Sequence, residues 1–222
     1  MSDLFESKIL KHIEKSRIIA VLVIDRIEDA VPLACALMDG GIDVMELTLR
    51  TPVAINALRR IREEVPEMLV GAGTIITVDQ VRLVADAGAA FGVAPGMNLR
   101  IVKKAQEIGL PFAPGIITPS DIEHALECGY RLLKFFPAEA SGGLPYLKSM
   151  ASPYTYLNLR FIPLGGIDIS NLRDYLEDSI ITAVGGSWIA PRRLIQKRDW
   201  KIITKNAREA RQIANEIKGK NV

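Results

Sequence analysis

Short apolar, β-branched runs recur along this chain roughly every 20 to 30 residues, and segments of helical periodicity fill the gaps between them. Eight runs are present: IIAVLVI from Ile18, IDVMELTL from Ile42, MLVGAG from Met68, AFGVA from Ala90, PFAPG from Pro111, YRLLKFF from Tyr130, RFIPLGG from Arg160 and ITAVGG from Ile181. The segments between them include EDAVPLACALMDGG, PVAINALRRIREEVP, TVDQVRLVADAGA, NLRIVKKAQEIG, TPSDIEHALECG and SNLRDYLEDS. Several open on Thr, Ser, Asp or Asn and close on Gly, the residues that cap helix N- and C-termini. Such alternation implies parallel strands joined by crossover helices, and eight repeats favour a closed barrel over an open doubly wound sheet. The expectation is an α/β fold, a (β/α)8 TIM barrel in a single domain over residues 1–222, with an extra N-terminal helix and a C-terminal helix from Trp200 to Lys218.

Composition narrows the function classes. With 49% hydrophobic and 24% charged residues the chain can bury a core, which excludes a disordered segment. The net charge of +2 comes from 28 basic and 26 acidic residues spread along the sequence, so nucleic acid is not an expected partner. The one short basic cluster, Arg192, Arg193, Lys197 and Arg198, reads as a solvated helix face. Cys35 and Cys128 stand in apolar helical contexts and read as reduced core residues. The N-terminal pattern of Leu4, Phe5, Ile9, Leu10 and Ile13 is amphipathic and interrupted by charges, unlike a signal peptide, and no segment reaches membrane-spanning length. A cytoplasmic protein without a membrane partner is expected. His12 and His124 fall in predicted helices away from the strand ends, and no cluster with metal-ligand spacing occurs, so no metal is expected.

Barrel chemistry gathers at the C-terminal ends of the strands. In Val44-Met45-Glu46-Leu47-Thr48-Leu49-Arg50 the strand period of two puts Met45, Leu47 and Leu49 on one face and Glu46, Thr48 and Arg50 on the other. The apolar face meets the helices, so Glu46 and Arg50 point into the barrel mouth, where charge is costly unless paired or used. They read either as an internal ion pair or as a proton-transferring carboxylate beside a cation that holds a substrate carboxylate. In Leu132-Leu133-Lys134-Phe135-Phe136, Lys134 and Phe136 share the inner face. Burial disfavours the ammonium and leaves an amine able to form a Schiff base, the alternative being a lysine that snorkels to solvent. The glycine pairs Gly165-Gly166 and Gly185-Gly186 end the last two strands, where barrels commonly bind phosphate. Bare backbone N–H groups, the Ser187 hydroxyl and the following helix dipole would serve an anion there. Thr74, after the third strand, and Pro95, after the fourth, read as a hydrogen-bond donor and a wall, or as ordinary turn residues.

Taken in order, VMELTLRTP, VGAGTI, APG, LLKFFPAEASGG, FIPLGGI and VGGSW resemble the 2-keto-3-deoxy-6-phosphogluconate (KDPG) / 4-hydroxy-2-oxoglutarate (KHG) aldolase family over nearly the whole chain. The resemblance implies a class I aldolase in which Lys134 forms the Schiff base and Glu46 is the general acid/base. Arg50 and Thr74 grip the carboxylate of the pyruvate portion, Phe136 and Pro95 line the site, and Gly165, Gly166, Gly185, Gly186 and Ser187 bind phosphate. It also implies a cytoplasmic homotrimer acting on a small keto acid with no metal or organic cofactor. The chain departs from the family pattern at Leu164, Ala94 and Ile117, where Thr, Ser and a small hydroxyl residue are common. Those exchanges leave open which aldehyde portion is preferred. The phosphogalactonate substrate and a non-catalytic phosphometabolite-binding barrel remain as alternatives.

Overall fold

The computed structural model describes residues 7–218. Leu4 and Phe5 of the amphipathic N-terminal pattern lie outside the described residues. The rest of the pattern, with Ile9, Leu10 and Ile13, lies on α1 (Ser7–Ser16). Strands and helices then alternate: β1 (Ile18–Leu22), α2 (Ala30–Asp39), β2 (Val44–Thr48), α3 (Ala54–Glu64), β3 (Leu69–Gly73), α4 (Val78–Asp86), β4 (Gly92–Val93) and α5 (Leu99–Glu107). They continue through β5 (Phe112–Ala113), β6 (Gly115–Ile116), α6 (Pro119–Glu127), β7 (Leu132–Phe135), α7 (Gly143–Ala151), β8 (Arg160–Pro163), α8 (Leu172–Glu177), β9 (Val184–Gly186), α9 (Arg192–Gln196) and α10 (Trp200–Lys218). Thr77 and Thr118 close capping boxes with Gln80 and Asp121, and Asn98 caps α5, as their positions before helical segments predict.

All strand pairs are parallel, in the orders β5-β4-β3-β2-β1-β9 and β6-β7-β8. Isolated bridges Phe161–Ile181 and Leu164–Gly185 join β8 to the run that ends in β9. The fold is therefore α/β with a curled, barrel-like parallel sheet. The fifth run, expected as one strand, gives two short ones, because Pro114 between β5 and β6 has no N–H to donate to a ladder. Helix α7 and the turns flanking it had no assignment from the sequence.

The strand period sorts the core into two layers. Ile18, Ala20, Leu22, Met45 and Leu47 face the helices and join the larger cluster. Ile19, Val44, Phe91, Val93, Leu132, Ile162, Leu164 and Ala183 fill the inside of the sheet, and Ile13 of α1 closes this inner core at one end. Burying a side chain of that size stabilises by roughly 1.5–3 kcal/mol, so α1 is an anchored part of the fold. Cys35 is exposed, which corrects its reading as a core residue, whereas Cys128 is half-buried and packs against the core. Arg192 and Arg198 pair with Asp25 and Asp29, so only part of the basic cluster is a free solvated face. No helix among the described residues is long and apolar enough to cross a membrane.

Candidate active site

At the C-terminal ends of the strands the inner face changes from aliphatic to polar. β2 carries Glu46 inward beside Val21 of β1, and β7 carries Lys134 inward beside Gly115 of β6. Both side chains are buried, Glu46 at 2% and Lys134 at 5% relative exposure. They meet although 88 residues apart: Lys134 Nζ donates to Glu46 Oε1 at 3.0 Å and lies 3.2 Å from Oε2. Snorkelling is thus ruled out for Lys134, and the carboxylate compensates the ammonium that burial would otherwise penalise. The lysine nitrogen also sits 5.6 Å from the centre of the Phe136 ring. Of the two readings of that face, the internal Glu46–Arg50 ion pair is not formed: Glu46 pairs with Lys134, and Arg50 is exposed farther along the chain.

A cavity of about 360 Å³ opens over this pair. Its walls hold Glu46, Arg50, Thr74, Pro95, Lys134, Phe136, Gly165, Gly185, Gly186 and Ser187, so nearly every candidate from the sequence converges here. Gly166 is the exception. It lies one residue behind the lining, where an added Cβ would come within 2.6 Å of the Glu139 Cβ. The helices that follow the two glycine pairs begin at Leu172 and Arg192. Of the three departures from the family pattern only Leu164 reaches the lining. Ala94 is buried away from it, and the Ile117 N–H donates to Asp121 while its carbonyl accepts from Tyr146.

Two wall residues received no role from the sequence. Val21 adds an aliphatic surface. Thr48 aims the cation: its hydroxyl donates to the Leu22 carbonyl at 2.7 Å and accepts from Arg50 Nε at 3.1 Å. Its place on the Glu46 and Arg50 face was the available signal. Thr74 lines the cavity in left-handed backbone, φ 59°, a conformation costing about 1–3 kcal/mol and common at ligand clamps.

Gly73 has a sharper task than ending a strand. A Cβ there would fall 1.8 Å from Glu46 Oε1, so only glycine leaves the carboxylate room beside Lys134. Gly73→Ala is expected to turn the carboxylate away and break the 3.0 Å contact at a cost of about 1–3 kcal/mol. A crystal structure and denaturant unfolding of the variant check this. An unmoved Glu46 at full stability would contradict it.

A buried amine beside a carboxylate, facing a cavity lined by a cation, glycine turns and a hydroxyl, can attack a carbonyl and shuttle protons. Among the described residues no group of His, Cys, Asp or Glu has the arrangement of a metal site.

Comparison with known proteins agrees with this chemistry. The family model described as KDPG and KHG aldolase matches residues 9–206. The 2-dehydro-3-deoxy-phosphogluconate aldolase of Treponema pallidum (strain Nichols) is 44% identical over 205 residues, covering 92% of this chain and 97% of its own. The KHG/KDPG aldolase of Escherichia coli (strain K12) is 44% identical over 193 residues, 87% of this chain and 90% of its own. A crystal structure of the Legionella pneumophila KDPG aldolase, with pyruvate captured at low pH as a covalent carbinolamine intermediate, superposes with a TM-score of 0.88 at 40% identity. It covers 93% of this chain and 99% of that one.

Proposed function

The chain belongs to the KDPG and KHG aldolase family, and on that premise we propose that Lys134 and Glu46 perform class I aldol cleavage of 2-keto-3-deoxy-6-phosphogluconate to pyruvate and glyceraldehyde 3-phosphate. The observation that carries the reading is the buried Lys134–Glu46 pair facing the cavity. Glu46 takes a proton from the lysine ammonium, and the free amine attacks the C2 carbonyl to give a carbinolamine. Glu46 returns the proton to the departing hydroxyl, so water leaves and an iminium remains. Glu46 then removes the C4 hydroxyl proton, the C3–C4 bond breaks, and its electron pair passes into the iminium as an enamine. Aldehyde departs, C3 takes a proton from Glu46, and hydrolysis frees pyruvate and the lysine. The iminium is the electron sink, so the chemistry calls on no metal or organic cofactor.

Arg50, aimed by Thr48, and Thr74 hold the substrate carboxylate; Phe136 and Pro95 form the walls. Gly165, Gly185, Gly186 and Ser187 hold the phosphate, and Gly166, behind the lining, completes the turn. The curled sheet is read as a closed (β/α)8 barrel in one domain over residues 1–222, supported by the bridges between β8 and the last run and by the single proline between β5 and β6. Assembly as a homotrimer and a cytoplasmic location rest on the family resemblance.

The test compares KDPG with unphosphorylated 4-hydroxy-2-oxoglutarate, with pyruvate release followed by lactate dehydrogenase. Charge-assisted hydrogen bonds to a phosphate contribute about 1.5–3 kcal/mol each, so kcat/KM should favour KDPG by at least about tenfold. The same chemistry on the unphosphorylated acid, yielding glyoxylate, is a slower second activity. Preference for the unphosphorylated acid would overturn the phosphate assignment.

A further inference from the structure

Behind the Gly165-Gly166 turn, two side chains outside the cavity lining tie the turn to the strand that carries Lys134. Gly165 and Gly166 hold φ of 98° and 80°, open to glycine without strain, and such a turn is flexible unless something fixes it. The chain leaving β7 fixes it twice through the backbone: the Ala138 N–H donates to the Leu164 carbonyl at 2.7 Å and the Glu139 N–H to the Gly165 carbonyl at 3.0 Å. The Glu139 side chain then lies against Gly166, and its Oε1 accepts a hydrogen bond from the Tyr175 hydroxyl. Tyr175 belongs to α8, the helix that follows the turn, and is 2% exposed. Burial first, and the Glu139 carboxylate second, push its phenol well above the ordinary value, so the hydroxyl remains a donor at any working pH. No ion pair engages Glu139 among the described residues, which leaves its carboxylate to the tyrosine.

We propose that Glu139 and Tyr175 are positioning residues for the phosphate end of the substrate, clasping the Gly165-Gly166 turn at a fixed place relative to Lys134. The inference rests on the phosphate reading given above. Preorganisation is its physical content: a fixed turn spends no binding energy on ordering itself, and small misplacements of a binding group cost rate steeply.

Tyr175→Phe and Glu139→Ala remove the donor and the acceptor, whereas Glu139→Gln keeps an oxygen that accepts from the tyrosine. The experiment measures kcat and KM of each on KDPG and on 4-hydroxy-2-oxoglutarate, with borohydride trapping of pyruvate on Lys134 as a phosphate-free readout. Tyr175→Phe and Glu139→Ala are expected to raise KM for KDPG about tenfold. The unphosphorylated acid and pyruvate trapping stay within about twofold of wild type, and Glu139→Gln restores most of the KDPG affinity. Equal losses on both substrates, or no change on either, would overturn the clasp. A wild-type protein indifferent to the phosphate would instead overturn the phosphate reading itself, so the two failures are distinguishable.

Discussion

Lys134→Arg is expected to fold and to lose cleavage activity by at least about 10⁴-fold, the scale of loss when a covalent nucleophile is removed. Arginine keeps a positive charge facing Glu46, so the buried carboxylate retains its partner and the core retains its volume. The guanidinium does not deprotonate in proteins and cannot form the imine. The variant therefore separates the chemistry of the lysine from its structural charge. Steady-state cleavage of KDPG together with a thermal melt checks it, and substantial cleavage by the folded variant would contradict the assignment.

Glu46→Gln carries the second large effect. The amide is nearly isosteric, so the cavity keeps its shape, yet it neither takes the proton from the amine nor from the C4 hydroxyl. General acid/base catalysis contributes typically about 10²–10⁴-fold, and kcat should fall within that range. The substitution also leaves Lys134 as an uncompensated buried cation when protonated, and breaking a buried pair in this way costs about 3–5 kcal/mol. Both losses are expected in one protein, the first in kcat and the second in denaturant midpoint. A Glu46→Gln protein with near-wild-type kcat would mean that another group moves the protons.

Much of this was readable in the chain because parallel strands covered on both faces appear as uninterrupted apolar runs, and a charge inside such a run stands out. Lys134 and Glu46 announce themselves in that way, and the strand period places Arg50 on the same face as Glu46. Capping residues gave the starts of α4, α5 and α6. Helix α7 escaped because it opens on Gly142-Gly143 at positive φ with no side-chain cap, and two glycines read as a break. The partner of Glu46 was also hidden: a pairing 88 residues apart leaves no trace in periodicity, so Arg50, four residues away, was the nearer candidate. The same applies to Glu139 and Tyr175, which meet only through the turn between them. Gly73 was visible as a strand end, whereas its role in making room for the Glu46 carboxylate depends on how β2 and β3 pack.

The proposed function turns on whether Lys134 is the residue that joins pyruvate. Incubating the protein with pyruvate, reducing with borohydride and mapping the modified peptide by mass spectrometry tests it directly. One stable adduct is expected, on Lys134, and none in Lys134→Arg. A folded protein that yields no adduct, or one that carries it on another lysine, would contradict it.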